Sequence, residues 1–272
     1  FGKSATYIIS HLILGKNSVV ISPLISLMED QTNKLASFNI DYICFNSFSN
    51  QQVNNKKINL MINNKKKYIM FFSPESFIVR GDLIKKLIIK DDLSFFTIDE
   101  SHCLSSWKSF RNSYKDLNVI QKWTNNKKIP ILCLTATATN NTIQEMMENL
   151  NIKKALLIKS SFYKPNLEIS VLCKNNMDTD INKINLFIKE NKNKTIIYCK
   201  TRKDTEKISY KLKCKQLKVD YYHANLSSQK RKSIQEYFTS DKLDIIVATV
   251  AFGMGIDIPN VNLIIHYGIS KD

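Results

Sequence analysis

The sequence predicts an α/β chain made of two parallel-sheet units in tandem. Three observations carry that prediction. Short apolar runs such as Tyr68-Ile69-Met70-Phe71-Phe72 and Phe95-Phe96-Thr97-Ile98 lack strict polar alternation, as strands buried on both faces do. These runs alternate with segments of helical periodicity, the pattern of βα units. The alternation pauses at Ser160–Asn166, a linker containing Pro165, and then starts again.

The first unit opens with Phe1-Gly2-Lys3-Ser4 and a helix whose apolar stripe is Ala5, Ile8, Ile9, Leu12 and Ile13, ended by Gly15. Ser18–Ile21 is a strand with Ser22-Pro23-Leu24 as its sharp exit. Ile25–Phe38 is a helix, with Leu24, Leu27, Met28, Gln31 and Leu35 on one side. Asp41–Phe45 is the next strand, and the Asn- and Lys-rich stretch 46–67 is solvated loop around a helix. Tyr68–Phe72 leaves through Ser73-Pro74-Glu75, and Phe95–Ile98 stops at Asp99 and Glu100. Ile129–Leu134 runs into Thr135-Ala136-Thr137-Ala138-Thr139, a run that can cap a helix over Asn141–Leu150. A strand at Leu156–Ile158 closes this unit. The second unit has strands at Ile169–Leu172, Thr195–Tyr198, Val219–Tyr222, Asp244–Ala248 and Leu263–His266, with helices near 180–190, 202–214 and 227–239.

Composition bounds the function. At 272 residues and 43% hydrophobic content, the chain can fill one large core or two ordinary ones. Its apolar runs are too short to span a bilayer, and no secretion signal opens it, although it begins at Phe1. The six cysteines form no C-x-x-C pair, which argues against structural zinc and for a reducing, intracellular compartment. Lys and Arg number 40 against 24 acids, a net charge of +16 that favours a polyanionic partner. An AT-rich coding sequence, rich in Lys, Asn and Ile, would raise the charge in the same way.

Four stretches carry chemistry. Gly2-Lys3-Ser4 at a helix start is the second half of a phosphate-binding loop: Lys3 would reach the β/γ-phosphates and Ser4 would hold Mg²⁺. Asp99 and Glu100 end a strand, where open α/β sheets bind ligands. Adjacent residues of an extended strand point to opposite faces, so the two neighbouring carboxylates need not duplicate each other. Trp107, Phe110 and Arg111 follow in a polar loop suited to stacking on bases; the bland alternative is an acidic turn over core aromatics. Val247–Pro259 places Gly253, Gly255 and Asp257 after a buried strand, again at the ligand edge. His11 and His266 lie in apolar strings and read as structural, while His223 divides between a polar strand cap and a functional group.

Together and in order, these segments resemble a superfamily 2 helicase, and within it the RecQ family of ATP-dependent DNA helicases. Gly2-Lys3-Ser4 is similar to the end of motif I, and Val20–Gln31 to motif Ia. Phe72-Ser73-Pro74-Glu75 resembles motif Ib, Asp99-Glu100-Ser101-His102 motif II, and Cys103–Tyr114 the aromatic-rich loop of RecQ enzymes. Leu134–Thr139 resembles motif III, Phe162–Leu167 the inter-domain segment, and Ile196–Cys199 with Arg202 motif IV. Tyr222–Leu226 and Val247–Pro259 resemble motif V and its approach. The sequence departs from the family at Ser101, usually Ala, and at Lys108-Ser109, which replace Gly-His-Asp and shorten the aromatic-rich loop by one residue. The family uses that histidine to couple DNA binding to hydrolysis. The family's motif VI, with its arginine finger, would follow Asp272, so this segment alone is expected to turn over poorly.

The resemblance implies two RecA-like domains, 1–161 and 162–272, with a nucleotide cleft between them, and ATP with Mg²⁺ as cofactors. It implies a 3′-to-5′ helicase motor acting on single-stranded and partly duplex DNA in repair and recombination, without a membrane. The compartment would be the nucleus in a eukaryote and the cytoplasm otherwise. Lys3, Asp99, Glu100 and His102 would be catalytic. Gly2, Lys3, Ser4, Gly255 and Asp257 would bind nucleotide, with Ser4 and Asp99 on Mg²⁺. His102 and Thr135–Thr137 would relay the nucleotide state. Ser22, Pro23, Ser73 and Thr249 would track the phosphodiester backbone, with Trp107 and Phe110 stacking on bases and Arg111 on phosphate. The rival functions are a DEAD-box-like RNA helicase and a nucleic-acid-binding fragment without turnover.

Overall fold

The structure is a computed structural model that describes residues 2–46, 49–106, 112–124, 127–161, 163–191, 194–253, 258 and 260–268. It divides into two compact units, Phe1–Lys159 and Ser160–Asp272.

The first unit runs α1 (Lys3–Leu14), β1 (Asn17–Ile21), α2 (Ile25–Ser37), β2 (Tyr42–Phe45), α3 (Gln51–Ile62) and β3 (Ile69–Phe72). It continues through α4 (Pro74–Val79), α5 (Gly81–Ile89), β4 (Leu93–Ile98), α6 (Cys103–Ser106), α7 (Val119–Thr124), β5 (Ile131–Cys133) and α8 (Asn140–Asn149). The strands form one sheet in the order β2-β3-β1-β4-β5, and every pairing is parallel. The chain winds from β1 to one side and crosses back for β4, so the strand order reverses beside β1. That is the switch point where such sheets bind ligands.

The core explains why these runs are strands. Val19 and Ile21 of β1 pack into one apolar layer and Val20 into the other, so alternate side chains serve both sheet faces. Phe96 and Ile98 join the first layer and Phe95 the second. The Phe45 and Phe72 rings stack 4.5 Å apart, and Phe77 meets Phe72 edge-on. Each such ring contributes about 1.5–3 kcal/mol by leaving water.

The second unit runs α9 (Met177–Asn191), β6 (Lys194–Cys199), α10 (Arg202–Lys213), β7 (Val219–Tyr222), α11 (Ser228–Thr239), β8 (Ile245–Ala248) and β9 (Val261–Tyr267). Its parallel sheet has the order β7-β8-β6-β9, with β6 next to the reversal as β1 is in the first unit. Ile197 and Val247 fill one layer, Ile196 and Ile246 the other.

Three expectations fail here. Leu156–Ile158 is irregular and lies in water, with Leu156 89% and Ile158 87% exposed. Ile169–Leu172 is likewise irregular, with Val171 93% exposed. Both segments have strand-like composition, but among the described residues no strand pairs with them, and β propensity is realised only by packing. In α1 the stripe is misplaced: Ile9, Leu12 and Ile13 are exposed, and Tyr7 with His11 is the buried pair. The side chains four apart that meet the sheet are the two with polar ends.

Candidate active site

Register builds the site. Ile21 pairs with Phe72 and with Ile98, and Ile98 pairs with Cys133. The residues just past those positions, Ser22, Ser73, Asp99 and Leu134, therefore lie along one carboxyl edge of the sheet. Backbone hydrogen bonds continue the ladder one step beyond the strands: Ser22 N–H donates to Phe72 O (3.0 Å), Asp99 N–H to Ile21 O (2.9 Å), and Leu134 N–H to Ile98 O (2.9 Å).

The helix α1 begins at this edge. Gly2 is its N-cap at φ 50°, a left-handed conformation that glycine adopts without a Cβ penalty. The first turn then presents Lys3, whose Nζ lies 2.6 Å from Glu100 Oε1 and 3.8 Å from Asp99 Oδ1. Lys3 thus meets both carboxylates across 97 residues of chain.

The two carboxylates do not divide between opposite sheet faces as an extended strand would require. The strand ends at Ile98, and Glu100 takes φ 46° in the turn that follows. That left-handed residue brings its carboxylate back toward Lys3 beside Asp99. A non-glycine in this region costs on the order of 1 kcal/mol or more and is concentrated at functional sites. The turn is held by Glu100 N–H on Asp99 Oδ1 (2.9 Å) and by Ser101, whose N–H and hydroxyl both donate to Leu134 O (2.9 and 3.1 Å).

Burial pushes the Asp99 carboxyl above the usual carboxylate range; Lys3 opposes the shift and Glu100 adds to it. Asp99 is therefore a buried acid with its cation 3.8 Å away, a group that gains from a closer positive charge. Among the described residues no group of three His, Cys, Asp or Glu gathers as a metal site. Mg²⁺ bound with nucleotide needs only one or two protein oxygens, because phosphates and water complete its shell. The hydroxyl of Ser4 and the carboxylate of Asp99 fit that requirement.

A polar chain leads away from Glu100. His102 Nδ1 lies 3.4 Å from Glu100 Oε2 and 3.0 Å from Thr135 Oγ1. The Thr135 hydroxyl donates to Thr137 O (3.1 Å) and accepts from Thr137 N–H (3.1 Å). His102 and the threonine run after β5 are thus joined directly. Thr139 does cap α8, accepting from Thr142 N–H at 3.2 Å.

The residues expected on nucleic acid are placed unevenly. Ser22 and Pro23 are buried, and the Ser22 hydroxyl has no partner among the described residues. Ser73 is half-buried and caps α4, accepting from Ser76 N–H at 3.2 Å. Neither serine offers a fully exposed hydroxyl. Thr249 follows β8 and donates its N–H to Tyr222 O (3.1 Å). Trp107, Phe110, Arg111, Gly255 and Asp257 lie outside the described residues.

The histidines sort by surroundings. His11 is buried, bonded to the Ser18 hydroxyl through Nδ1 (3.0 Å), and burial lowers its pKa to about 4. His223 is buried and sets Nε2 3.1 Å from Glu206 Oε1. His266 is exposed on β9 and stacks on Tyr198 with ring centroids 5.5 Å apart. Sequence reasoning missed one pair near the site: Tyr7, whose hydroxyl donates to Gln31 Oε1 at 3.2 Å. Nothing in the spacing of two separate helices signals that contact.

The family DEAD/DEAH box helicase matches residues 1–146, more than half of the chain. The chain belongs to the DEAD/DEAH box helicases. The helicase conserved C-terminal domain matches residues 179–272 of the same chain. Within the helicases its relatives include RecQ proteins. It is 34% identical to the ATP-dependent DNA helicase RecQ of Bacillus subtilis, over 100% of this chain and 45% of that protein. It is 37% identical to the ATP-dependent helicase wrn-1 of Caenorhabditis elegans, over 98% of this chain and 26% of that protein. A viral relative, the putative ATP-dependent RNA helicase R290 of Acanthamoeba polyphaga mimivirus, is 39% identical over 100% of this chain and 48% of its own. The chain therefore spans less than half the length of these relatives. The crystal structure of the DUF1998 helicase MrfA bound to DNA shares the fold, with TM-score 0.70 and 15% identity over 98% of this chain and 39% of that one. This helicase core thus has two parallel α/β units of the RecA-like kind.

Proposed function

We propose that this helicase core is the motor of an ATP-dependent DNA helicase, which couples ATP hydrolysis to 3′-to-5′ translocation on single-stranded DNA and to duplex unwinding. The observation that carries the reading is the meeting of Lys3 with Asp99 and Glu100 at the sheet's switch point. A cation at a helix start, facing two carboxylates, suits phosphoryl transfer to water, where positioning and charge do most of the catalysis.

ATP bound with Mg²⁺ supplies the transferable phosphoryl group. Lys3 leaves Glu100 to balance the β/γ-phosphate charge, with Gly2 holding the turn. Ser4 and Asp99 present oxygens to Mg²⁺. Glu100, once free of Lys3, orients or deprotonates the attacking water. Its neighbour His102 links that carboxylate to Thr135, so a change at the phosphate is felt at the end of β5. Ser22, Pro23, Ser73 and Thr249 follow the phosphodiester backbone. Trp107, Phe110 and Arg111 engage unpaired bases and phosphate, and Gly255 and Asp257 contact nucleotide.

One observation favours a second reading. The mimivirus relative is described as an RNA helicase, at 39% identity. ATP turnover measured with single-stranded DNA and with single-stranded RNA separates the two. Stimulation by DNA well above that by RNA supports the DNA motor, and the reverse order replaces it with the RNA reading. No turnover despite nucleotide and nucleic-acid binding would leave the non-hydrolysing fragment.

A further inference from the structure

Tyr7 stands one helical turn beyond Lys3 on α1 and three residues beyond Ser4, so its side chain shares a face with both. The ring is buried in the apolar layer under Val20, Met28 and Phe71, meeting Phe71 edge-on at 6.2 Å. Packing alone would be served by phenylalanine. The hydroxyl, however, reaches Gln31 Oε1 at 3.2 Å, on the buried face of α2. Gln31 is itself a polar residue among Met28, Thr32 and Leu35. A buried amide and a buried phenol that satisfy each other define one relative position of their helices, because either alone is costly.

The two helices begin at different parts of the proposed machinery. The first turn of α1 carries Lys3 and Ser4. The start of α2 follows Ser22-Pro23-Leu24, the turn assigned above to nucleic acid. Burial raises the Tyr7 phenol's pKa and keeps it a proton donor; the Ser4 hydroxyl opposes this by hydrogen bonding, and the Asp99 and Asp30 charges add to the rise. The protonated phenol therefore keeps its hydrogen bond to Gln31 of α2 while its helix carries Lys3 and Ser4.

We propose that Tyr7 is a positioning residue whose hydrogen bond to Gln31 couples the phosphate-binding helix to the helix behind the nucleic-acid turn. This rests on the motor reading above. With the bond intact, a shift of α1 on nucleotide binding moves α2 and its leading turn. Without it, each ligand binds on its own.

The test is thermodynamic and needs no turnover. Affinity for a fluorescent, non-hydrolysable ATP analogue with Mg²⁺ is measured with and without saturating oligothymidine, and melting temperature is followed in parallel. In the wild-type chain DNA changes nucleotide affinity about tenfold, within the usual range of coupling between sites. Tyr7→Phe and Gln31→Met each bring that ratio below about twofold, and the double variant goes no lower, as one shared interaction requires. A melting temperature that falls while the ratio stays at its wild-type value makes the pair merely structural and overturns the proposal. So does a wild-type chain that binds both ligands with no effect of one on the other. A wild-type chain that binds neither ligand overturns the motor reading instead.

Discussion

Lys3 Nζ lies 2.6 Å from Glu100 Oε1, so the cation proposed to bind phosphate is paired with the proposed base. Each neutralises the other until a phosphate competes. Glu100→Gln removes that competition. The variant should bind a Mg²⁺–ATP analogue more tightly than wild type while hydrolysis falls on the order of 100-fold or more, the usual loss with a general base. Calorimetry and phosphate release check the two halves. Weaker binding would mean that Glu100 assists nucleotide binding instead.

Asp99 gives a prediction with a fixed sign. Its carboxyl is raised by burial, so the folded state binds the proton more strongly than the unfolded one. The linkage then makes stability fall as pH rises from the ordinary carboxylate range through the raised value. At neutral pH the buried charge opposes folding. Asp99→Asn should raise the melting temperature of the nucleotide-free chain and abolish the gain in nucleotide affinity that Mg²⁺ confers. A lower melting temperature would show that the distant Lys3 outweighs burial.

His11 acts in the other direction. Its pKa is lowered to about 4 from 6.5, so the unfolded state takes up the proton first as pH falls. Stability should drop between about pH 6.5 and 4, by up to about 3 kcal/mol for this group. Denaturant melts of wild type and His11→Gln across that window check it. The variant should show a shallower slope, whatever its absolute stability.

Gly253 takes φ 106°, and a Cβ there would come within 2.5 Å of the Tyr198 hydroxyl oxygen. That hydroxyl donates to Phe252 O at 3.2 Å. Gly253→Ala should destabilise the second unit by about 1–3 kcal/mol through backbone strain and overpacking. Tyr198→Phe in the same chain should recover the steric part only. Thermal melts of wild type, Gly253→Ala and the double variant separate the contributions.

The sequence made the sheets legible because their strands are buried on both faces. Runs such as Val19–Ile21 and Phe95–Ile98 lack strict polar alternation, and their apolar ends mark where the carboxyl edge begins. The candidates Lys3, Asp99 and Glu100 could therefore be read by their place at strand and helix ends, while His102 came only from the resemblance to motif II. The geometry of the turn could not. Nothing in Asp99-Glu100 as a dipeptide specifies a left-handed Glu100, which depends on Ser101 and Leu134 holding the loop. Leu156–Ile158 and Ile169–Leu172 misled for the opposite reason, since β-rich composition is satisfied only where another strand is available. The Tyr7–Gln31 contact was hidden because two polar tips on separate helices leave no mark in either periodicity.

The central claim is that Lys3, Ser4 and Asp99 hold a nucleotide with Mg²⁺, and calorimetric titration with a non-hydrolysable ATP analogue tests it most directly. Wild type should bind the analogue in a Mg²⁺-dependent way, and Lys3→Ala should weaken that binding tenfold or more, as expected when a charge-assisted phosphate contact is lost. Equal affinity in the two proteins, or no Mg²⁺-dependent binding by wild type, would contradict the account.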